Sequence, residues 1–596
     1  MLSIKKGELF LAFLSNLRLQ MRNIRSFALV FGTTGLLFIC FQVLSQSPSA
    51  KNYPRNYFRD PLNVPISLAA NFGELRANHY HMGLDIRTEK RENLPVFAAA
   101  EGYIARVSVA PLGFGKAIYI NHPNGYTTVY GHLNDFFPAL AAYVKQQQYK
   151  KENWRIALDF SPLQFPVKKG ELIAYSGNTG GSQGPHLHFE IRRTVDDTNI
   201  NPLLFGLPIP DNVSPVIRRL AIYDGSHSIY EQSPKILYVR NGDGGFVLPV
   251  DTLLVNSPKV GLAISAFDSQ SGSINPNGIY QADLYDDDQW VSGFQMDVIN
   301  YENTRNINAH IDYKTKATGG PWLQQLFRLP GYNNSIYSPG KSNGVLDISD
   351  GQVHRIRVDV KDAYGNNSTL NLKLKYRLPN ALAFSSWTGK MFYPQLLGVF
   401  ETDDCAFYLG EKSLYDSVHI NYSSSVSTVK GAVSLVYAIG EEYIPLQEDM
   451  LVRIRPASDF PLAKTDRVIM LRTISDGKDV RKVEWQNGWA SARFGGFGNF
   501  QLILDEEPPS INPQGFKDGA NMKRAVRIAI AVKDNLGAYK NFRAELDGKW
   551  LRFTNDKEHS FIYKFDEHCA PGKHSLKIIV EDEAGNVASR NFAFTR

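Results

Sequence analysis

The chain has 596 residues, of which 21% are charged and 43% hydrophobic, an ordinary composition for a globular protein. This length exceeds what one hydrophobic core supports, so we expect several domains. The formal net charge is +6, but the first 45 residues carry five basic side chains and one acidic one, which leaves the remainder near +2. That balance argues against nucleic acid as the main partner.

The N-terminus has the pattern of a targeting segment. Arg22 and Arg25 precede a mostly apolar stretch, residues 26–44. A positively charged start followed by an apolar run is typical of export signals. We therefore expect an exported protein of the periplasm or cell envelope.

Two fates are open for this segment. Cleavage after Ser45 would make residues 1–45 a signal peptide, with either Met1 or Met21 as its start. Alternatively, residues 26–44 stay in place as a membrane anchor, since about 20 apolar residues span a bilayer.

A histidine-rich stretch, residues 79–192, holds six of the chain's 13 histidines. Residues two or four apart lie on the same side of an extended strand, so His186 and His188 would project together, as would His81 and Asp85. Two histidines and one aspartate, with a fourth position left for water, are typical of a catalytic zinc site. No cysteine lies in this stretch to close a structural site. We therefore predict a zinc site (Zn2+) with two further catalytic histidines.

Three elements in this order resemble the lysostaphin/LytM-type zinc metallopeptidases. They are His81-x-Gly83-x-Asp85, Tyr130-x-His132 and His186-x-His188. The approach at residues 71–76 and the loop at residues 176–182 are also similar, and the resemblance covers roughly residues 55–205. It implies cleavage of peptide bonds in bacterial peptidoglycan, with stem or cross-bridge peptides as the substrate.

The resemblance also implies a role for five residues. His81, Asp85 and His188 would be zinc ligands, and His132 and His186 the catalytic pair that does not bind the metal. Zinc lowers the pKa of bound water to about 7 and polarises the scissile carbonyl. A histidine takes or returns a proton, or stabilises the oxyanion. The sequence leaves open which of the two histidines does which.

Three neighbouring residues have alternative interpretations. His79 and His81 would lie on the same side of an extended strand, but only His81 is four residues from Asp85. His122 lies in an Asn-His-Pro-Asn-Gly turn, where we expect it to be exposed. Glu190 either orients a ligand histidine or faces solvent from its strand.

The segments around these residues read as short strands with one helix. Residues 104–109, 117–120 and 126–130 have the composition and alternation of antiparallel strands. Residues 139–148 have helical composition. This helix forms either a flap beside the groove that narrows substrate entry or a peripheral insertion without catalytic effect.

The remainder of the chain, residues 206–596, reads as strands separated by Gly, Asn, Asp and Pro turns. One pattern occurs twice, since His354 precedes Asp362 by eight residues and His574 precedes Asp582 by eight, each followed by Gly-Asn. These segments resemble the last hairpin of immunoglobulin-like bacterial surface modules. The Asp-x-x-Gly-Asn turns are also candidates for calcium, although Asp and Asn stabilise turns without a metal.

The chain accordingly divides into five predicted segments. They are a signal peptide or anchor (1–45), a zinc metallopeptidase domain (46–206), an Ig-like β-sandwich with an insertion (207–379), a β-rich domain (380–507) and a second Ig-like β-sandwich (508–596). Cys405 and Cys569 fall in different domains, so we expect no disulfide between them. The modules carry no dedicated signature for binding the wall, covering the groove or recruiting a protein partner.

We predict an all-β fold, in which an antiparallel peptidase domain with a zinc groove is followed by β-sandwich modules. The predicted function is an exported zinc metalloendopeptidase that hydrolyses peptide cross-links of peptidoglycan through a zinc-bound water assisted by two histidines. The alternative is a non-catalytic wall-binding or hydrolase-activating protein with a peptidase-like domain. A further alternative is an adhesion protein that acts through its β modules. The complete set of five site residues favours the enzyme.

Overall fold

The computed structural model describes residues 53–332, 336–338, 342–378, 388–537, 539–558 and 560–596. Strands make up 48% of the structure and helices 8%, and the sheets are mostly antiparallel, so the predicted all-β fold is confirmed. The predicted targeting segment, residues 1–45, lies outside the described residues. Within the described ranges no helix combines the length and apolar character needed to cross a membrane.

We call residues 53–206, 207–378, 388–507 and 508–596 the first to fourth domains. The first contains one large antiparallel sheet and two small ones. Its strands are β1 (Leu68–Ala70), β2 (Leu75–Arg76), β3 (His79–Tyr80), β4 (Leu84–Arg87), β5 (Pro95–Phe97), β6 (Gly102–Val109), β7 (Lys116–Asn121), β8 (Tyr126–Gly131), β9 (Asp135–Phe136), β10 (Ile156–Asp159), β11 (Pro166–Val167), β12 (Leu172–Tyr175), β13 (His186–Arg193) and β14 (Thr198–Ile200). The large sheet has the order β1-β4-β13-β8-β7-β6-β10, and the small ones are β5-β12-β9 and β2-β3. Helix α1 (Pro138–Lys151) and a 3-10 helix (Pro202–Phe205) complete the domain.

Strand β13 lies inside the large sheet, between β4 and β8. Leu187 and Phe189 are fully buried on one face, and His188 and Glu190 are buried on the other. Burying each apolar side chain stabilises the fold by roughly 1.5–3 kcal/mol. A shift of one residue would turn these side chains to the other face of the sheet, so their burial favours one register of β13. The opposite face of the same strand therefore carries polar groups into the protein interior.

The second domain has two sheets. Its strands are β15 (Val216–Asp224), β16 (Lys235–Tyr238), β17 (Arg240–Gly242), β18 (Gly245–Val255), β19 (Lys259–Phe267), β20 (Gln281–Asp286), β21 (Gln289–Gln295), β22 (Val298–Ile299), β23 (Gln324–Gln325), β24 (Leu346–Asp347), β25 (Val353–Lys361) and β26 (Asn367–Tyr376). One sheet has the order β16-β15-β19-β23, with β24 also on β19, and the other β17-β18-β26-β25-β20-β21.

The segment between β21 and β25 joins the first two domains. It holds a 3-10 helix (Tyr301–Asn306) and the helices α2 (Ile307–His310) and α3 (Tyr313–Ala317). A further 3-10 helix (Ile229–Glu231) precedes β16. Strand β22 pairs with β14 of the first domain, so the large sheet continues into the second domain.

The third domain has two five-stranded sheets and a short strand pair. Its strands are β27 (Lys390–Phe392), β28 (Gly398–Glu401), β29 (Cys405–Leu409), β30 (Val418–Ile420), β31 (Tyr422–Ser425), β32 (Val436–Ile439), β33 (Pro445–Ile454), β34 (Val468–Ile474), β35 (Gly477–Lys482), β36 (Glu484–Gln486), β37 (Trp489–Gly496) and β38 (Gly498–Leu504), with a 3-10 helix (Leu462–Arg467). The sheet orders are β28-β29-β33-β37-β36 and β31-β32-β38-β34-β35, and β27 pairs with β30.

The fourth domain has a three-stranded and a five-stranded sheet. Its strands are β39 (Ser510–Gln514), β40 (Ala520–Asn521), β41 (Arg527–Lys533), β42 (Tyr539–Leu546), β43 (Lys549–Trp550), β44 (Phe561–Lys564), β45 (Lys573–Asp582) and β46 (Val587–Thr595), with a 3-10 helix (Asp556–Glu558). The sheet orders are β39-β41-β44 and β40-β46-β45-β42-β43. Cys405 and Cys569 are both free and buried.

The repeated hairpins occur as predicted, as β25–β26 and β45–β46. The repeated histidine has the same partner in both. His354 Nδ1 lies 3.0 Å from Asp286 Oδ2, and His574 Nδ1 lies 2.7 Å from Asp547 Oδ2. Because each aspartate comes from the strand pair beside its histidine, the repeat reflects a shared structural contact.

Helix α1 is present as predicted, and it packs against the fourth domain. The ring of Tyr149 stacks on His568 with centroids 3.7 Å apart and meets Trp550 edge-on at 5.3 Å. Lys145 Nζ forms an ion pair with Asp566 Oδ2 at 2.7 Å. The helix is therefore a platform that binds the last domain to the first.

We expect Tyr149→Ala to loosen this platform. Aromatic pairs contribute about 0.5–1.5 kcal/mol beyond the area they bury, and here one ring meets two partners. Hydrogen exchange should become several-fold faster in residues 549–570, measured by mass spectrometry. Lys151→Ala, an exposed change on the same helix, is the matched control and should leave exchange unchanged. Unchanged exchange in Tyr149→Ala would contradict the platform.

Candidate active site

The register of three strands brings the predicted site residues together. His188 on β13 lies opposite Asp85 on β4 and opposite Gly131 on β8. His132 follows directly after β8, and His81 lies just before β4. All five predicted residues thus meet at one end of β13.

Three of them form a cluster that can hold a metal ion. Asp85 Oδ1 lies 2.9 Å from His81 Nε2 and 2.9 Å from His188 Nδ1, and the two ring nitrogens are 3.1 Å apart. All three side chains are buried. One ligand atom of each lies within 4.8 Å of the others. Two imidazole nitrogens and one carboxylate oxygen suit a first-row divalent metal such as zinc.

Contacts on the outer side of each candidate ligand fix its orientation. His81 Nδ1 lies 2.7 Å from the backbone oxygen of Asn71, and His188 Nε2 lies 2.9 Å from Glu190 Oε1. Arg76 Nη2 donates to Asp85 Oδ2 at 2.8 Å. Each side chain therefore turns its other donor atom, Nε2, Nδ1 or Oδ1, towards the common centre. Such outer contacts set the tautomer and the basicity of ligand histidines.

Glu190 orients His188 and does not face solvent, which decides between the two interpretations above. It is fully buried, Arg192 Nε donates to its Oε2 at 2.7 Å, and Tyr301 Oη donates to its Oε1 at 2.7 Å. Burial alone would raise the pKa of Glu190, but Arg192 and His188 outweigh it and lower the pKa to about 2. Glu190 is therefore a permanent negative charge beside His188.

The charges in the cluster favour an ionised carboxylate at its centre. Burial opposes ionisation of Asp85, yet His81, His186 and His188 lower its pKa well below the usual range. Burial also opposes protonation of His188, but its hydrogen bonds to Asp85 and Glu190 raise its pKa to about 9. The site thus attracts positive charge at the point where the three donor atoms meet.

His132 and His186 lie beside the cluster, with ring centroids 4.7 Å apart. His132 Nδ1 lies 2.8 Å from the backbone oxygen of Thr179, and His186 Nδ1 lies 2.8 Å from that of Gly184. A carbonyl oxygen only accepts, so Nδ1 carries a proton in both rings, and in the neutral form of the ring Nε2 keeps a lone pair. His186 Nε2 is 3.3 Å from Asp85 Oδ1 and has no hydrogen-bond partner among the described residues.

The pKa of His132 keeps that ring neutral at pH 7. Burial, followed by the neighbouring His188 and His186, lowers it to about 3. His132 also has a positive φ of 58°, in the left-handed region. The backbone is therefore turned sharply after β8, which directs the ring towards the loop at Thr179.

The loop at residues 178–184 supplies both carbonyl oxygens, and a glycine allows its approach. A Cβ on Gly180 would lie 2.3 Å from the nitrogen of Gly115 and 2.4 Å from the oxygen of Gly113. The φ of Gly180 is +70°, which favours glycine as well. This close backbone contact fixes the loop that orients the two histidines.

The fourth domain holds the same loop from outside. Gly180 N donates to Asp556 Oδ1 at 2.8 Å, and Lys557 Nζ donates to Asn178 Oδ1 at 3.2 Å and to the backbone oxygen of Ser182. A side chain more than 370 positions later in the chain thus binds the loop that orients His132.

An open groove of about 780 Å³ leads to the cluster. The first domain contributes most of its lining, and the second domain contributes Tyr301 and Thr304. The ring of Tyr301 is partly exposed, at 40%, while its hydroxyl reaches the buried Glu190. None of the lining residues belongs to helix α1, which contacts the fourth domain instead.

Two neighbouring histidines are not part of the cluster. His79 is exposed, with Nδ1 2.8 Å from the backbone oxygen of Ala77. The expectation that His122 is exposed is wrong. Its ring is buried between the backbone oxygen of Glu101 at 2.7 Å and Thr128 Oγ1 at 2.8 Å. A turn composition predicts the backbone of His122 but not the packing of its ring.

Sequence reasoning missed several residues that shape the site. Tyr301 and Lys557 come from other domains, and no local pattern links them to the histidines. Arg192 follows Glu190 by two on the same strand, so the alternation of strand side chains could have placed it on the same face. Arg76 belongs to the approach segment, whose similarity was noted without a role for its side chain.

Two family models match this chain. The model described as peptidase family M23 matches residues 79–157 and 163–202, and the model described as a Zu5-like domain matches residues 390–505. Residues 79–202 are therefore a peptidase domain of family M23, which confirms the resemblance to LytM-type peptidases.

Curated relatives match over the same region. The DD-carboxypeptidase/endopeptidase Mpg of Neisseria meningitidis serogroup B is 33% identical over 131 residues, which is 22% of this chain and 24% of the relative. The peptidoglycan DD-endopeptidase ShyA of Vibrio cholerae is 26% identical over 165 residues, 27% of this chain and 32% of the relative. The chain thus spans about a quarter to a third of these relatives' length.

Solved structures add a weaker likeness. The catalytic domain of the antimicrobial peptidase lysostaphin from Staphylococcus simulans is 23% identical and covers 23% of this chain and 87% of its own. Its TM-score is 0.17.

We expect Gly83→Ala to disturb β13. The added Cβ would lie 2.5 Å from the oxygen of Phe189, 2.8 Å from Glu190 Cγ and 3.0 Å from His188 Nε2. Overpacking of this kind costs about 1–3 kcal/mol. The opening free energy of β13 amides, measured by hydrogen exchange, should fall by about that amount. Gly477→Ala, which meets no atom within 4 Å, should leave it unchanged. Equal protection in both variants would refute the close contact.

Proposed function

We propose that this chain is an exported zinc metalloendopeptidase that hydrolyses peptide cross-links of bacterial peptidoglycan. The observation that carries the proposal is the convergence of His81, Asp85 and His188 beside His132 and His186 at an open groove. The M23 domain and the relatives named as peptidoglycan DD-endopeptidases support the substrate class.

The proposed metal is zinc, held by His81 Nε2, Asp85 Oδ1 and His188 Nδ1. Three protein ligands with room for a further one are typical of catalytic zinc sites. When bound, zinc would polarise the scissile carbonyl and lower the pKa of water. Arg76, Asn71 and Glu190 would hold the three ligands in position through the contacts given above.

His132 and His186 are the proposed proton-transfer and oxyanion-binding residues. Each has its Nδ1–H bound to a backbone oxygen, so its Nε2 can accept a proton from water and then return it to the leaving amine. A protonated ring can also donate a hydrogen bond to the developing oxyanion. His186 is the closer of the two to Asp85, at 3.3 Å, but the division of these roles stays open.

The groove suits an extended peptide. It is open, and the side chains that line it include the aromatic rings of Phe114 and Tyr301 and the guanidinium groups of Arg76 and Arg87. Peptidoglycan stem peptides are short and carry free carboxylates, which the arginines would attract. The complete set of five site residues argues against the alternative of a non-catalytic hydrolase activator.

We predict that two histidine variants separate metal binding from proton transfer. His188→Ala should lose bound zinc and activity, because the cluster loses one of three ligands. His132→Ala should keep about one zinc per chain but lose roughly 10²–10⁴-fold in turnover. His227→Ala, at an exposed residue that does not line the groove, is the control and should match the parent.

The measurement uses residues 46–596 and purified peptidoglycan. Zinc is quantified by elemental analysis, and new peptide termini are identified by mass spectrometry, with and without chelator. Chelator-sensitive cleavage would identify the bond that is cut. Zinc loss in His132→Ala would contradict its role, and bound zinc without cleavage by the parent would contradict the proposed activity.

A further variant tests whether the fourth domain positions the catalytic loop. Asp556→Ala combined with Lys557→Met removes the three side-chain hydrogen bonds to residues 178–184. A displacement of catalytic groups by about 1 Å can cost about 10²-fold, so we expect kcat to fall roughly 10- to 100-fold with zinc content unchanged. Lys573→Met, an exposed change in the same domain, is the control. An unaltered kcat in the double variant would show that the loop is held without these contacts.

A further inference from the structure

Two triads of aspartates occupy equivalent places in the second and fourth domains. In the first triad, Asp268 follows β19 and Asp362 opens the turn of the β25–β26 hairpin. Asp211 comes from the segment that precedes β15. One carboxylate oxygen of each lies within 4.8 Å of the others. We call these three residues the Asp268 triad.

The second triad repeats the arrangement. It comprises Asp505 before β39, Asp534 after β41 and Asp582 in the turn of the β45–β46 hairpin. The hairpin contacts are the same, because Asn366 N donates to Asp362 Oδ1 at 2.9 Å and Asn586 N donates to Asp582 Oδ1 at 2.7 Å. The second triad therefore serves as an internal comparison for the first.

Within the Asp268 triad, one buried carboxylate oxygen has no partner. Asp268 is 5% exposed, and its Oδ1 forms no hydrogen bond with any described residue. The oxygens of Asp362 are bound by Tyr364 N at 2.9 Å and by Asn366. Leaving a carboxylate buried and unsatisfied costs several kcal/mol unless a cation or a proton is present.

No basic side chain balances these carboxylates. Across the described ranges, no lysine, arginine or histidine forms an ion pair with Asp211, Asp268 or Asp362. Burial, followed by Asp211 and Asp362, raises the pKa of Asp268 to about 7. In the second triad, Lys482 Nζ donates to the backbone oxygen of Ala584 at 3.1 Å, two residues after Asp582.

A small cavity completes the first triad. About 10 Å³ of space is bordered by the three aspartates and by residues of the first domain. This is about one water-sized probe sphere, enough for a single ion but not for an organic ligand.

We propose that Asp211, Asp268 and Asp362 bind a calcium ion. Calcium takes six to eight oxygen ligands in flexible geometry, and carboxylates with nearby backbone oxygens supply them. One divalent cation would neutralise most of the triad's charge and satisfy Asp268 Oδ1. The proposal concerns the second domain and does not depend on the peptidase activity.

The proposed calcium site would stabilise the contact between the second domain and the first. Residues 268–278 form a loop whose ends meet, since Asp268 N donates to the oxygen of Asn277 at 3.0 Å. Within this loop, Gln270 Oε1 accepts from Leu68 N at 3.0 Å, and Gly278 N donates to Asn71 Oδ1 at 2.9 Å. A bound ion would therefore order the loop that holds the segment of Asn71, whose backbone oxygen contacts His81.

The test measures thermal unfolding and calcium binding in a His188→Ala background, which removes a ligand of the proposed zinc site. With 5 mM CaCl₂ the unfolding transition of this protein should rise by about 2–4 °C or more, and isothermal titration should show a binding heat. Adding Asp268→Asn should abolish both effects. Asp534→Asn, the matched change in the second triad, should leave both in place.

The variant carries its own control for folding. Without calcium, Asp268→Asn should unfold at the same temperature as its parent or higher, because the substitution removes repulsion between carboxylates. A purely structural role for Asp268 predicts the opposite, a lower unfolding temperature with and without calcium. Absence of a calcium effect, an effect that survives Asp268→Asn, or an equal effect of MgCl₂ would overturn the proposal.

Discussion

A buried chain of charges runs from Arg192 through Glu190 and His188 to Asp85, and the site depends on it. Buried charges are costly unless each is paired and hydrogen-bonded. Here each side chain lies 2.7–2.9 Å from the next, so every buried charge is paired. The orientation of His188 that satisfies all these contacts turns its Nδ1 towards Asp85. The apolar residues on the opposite face of β13 hold the strand that carries three of the four groups.

This chain of charges also links the domains. Glu190 accepts from Tyr301, which stands on a 3-10 helix of the second domain, and the ring of Tyr301 lines the groove. The pairing of β14 with β22 places that helix beside the first domain. The groove is therefore a product of two domains, although the match to the M23 family ends at residue 202.

The loop that orients His132 and His186 depends on a third region. Backbone packing of Gly180 on Gly115 brings Thr179 and Gly184 into place, and the fourth domain binds the loop through Asp556 and Lys557. Helix α1 makes this possible, because it holds the fourth domain on the first. The fourth domain, although it is far from the site residues in sequence, therefore contributes to the structure of the site.

Much of this arrangement was predictable from short-range patterns. The spacing of His81 to Asp85 and of His186 to His188, together with the family resemblance, identified five residues that the structure brings together. Strand alternation and turn composition predicted the strands around them and the repeated hairpins, since both patterns act over a few residues. The alternation of side chains along β13 could not decide whether Glu190 faces solvent. Alternation separates the two faces of a strand but does not show which face other residues cover.

The remaining features required contacts between residues far apart in the chain. Composition correctly indicated helix α1, but only the docking of the fourth domain showed that it lies away from the groove. His122 occupies a turn that looks exposed, and its burial depends on Glu101 and Thr128 from neighbouring segments. The sequence by itself determined the local elements and the residue types of the cluster, because these depend on spacing over a few residues. Only the tertiary structure decided which domains line the groove and which domain binds the loop at residues 178–184. Those contacts join residues separated by more than 100 positions.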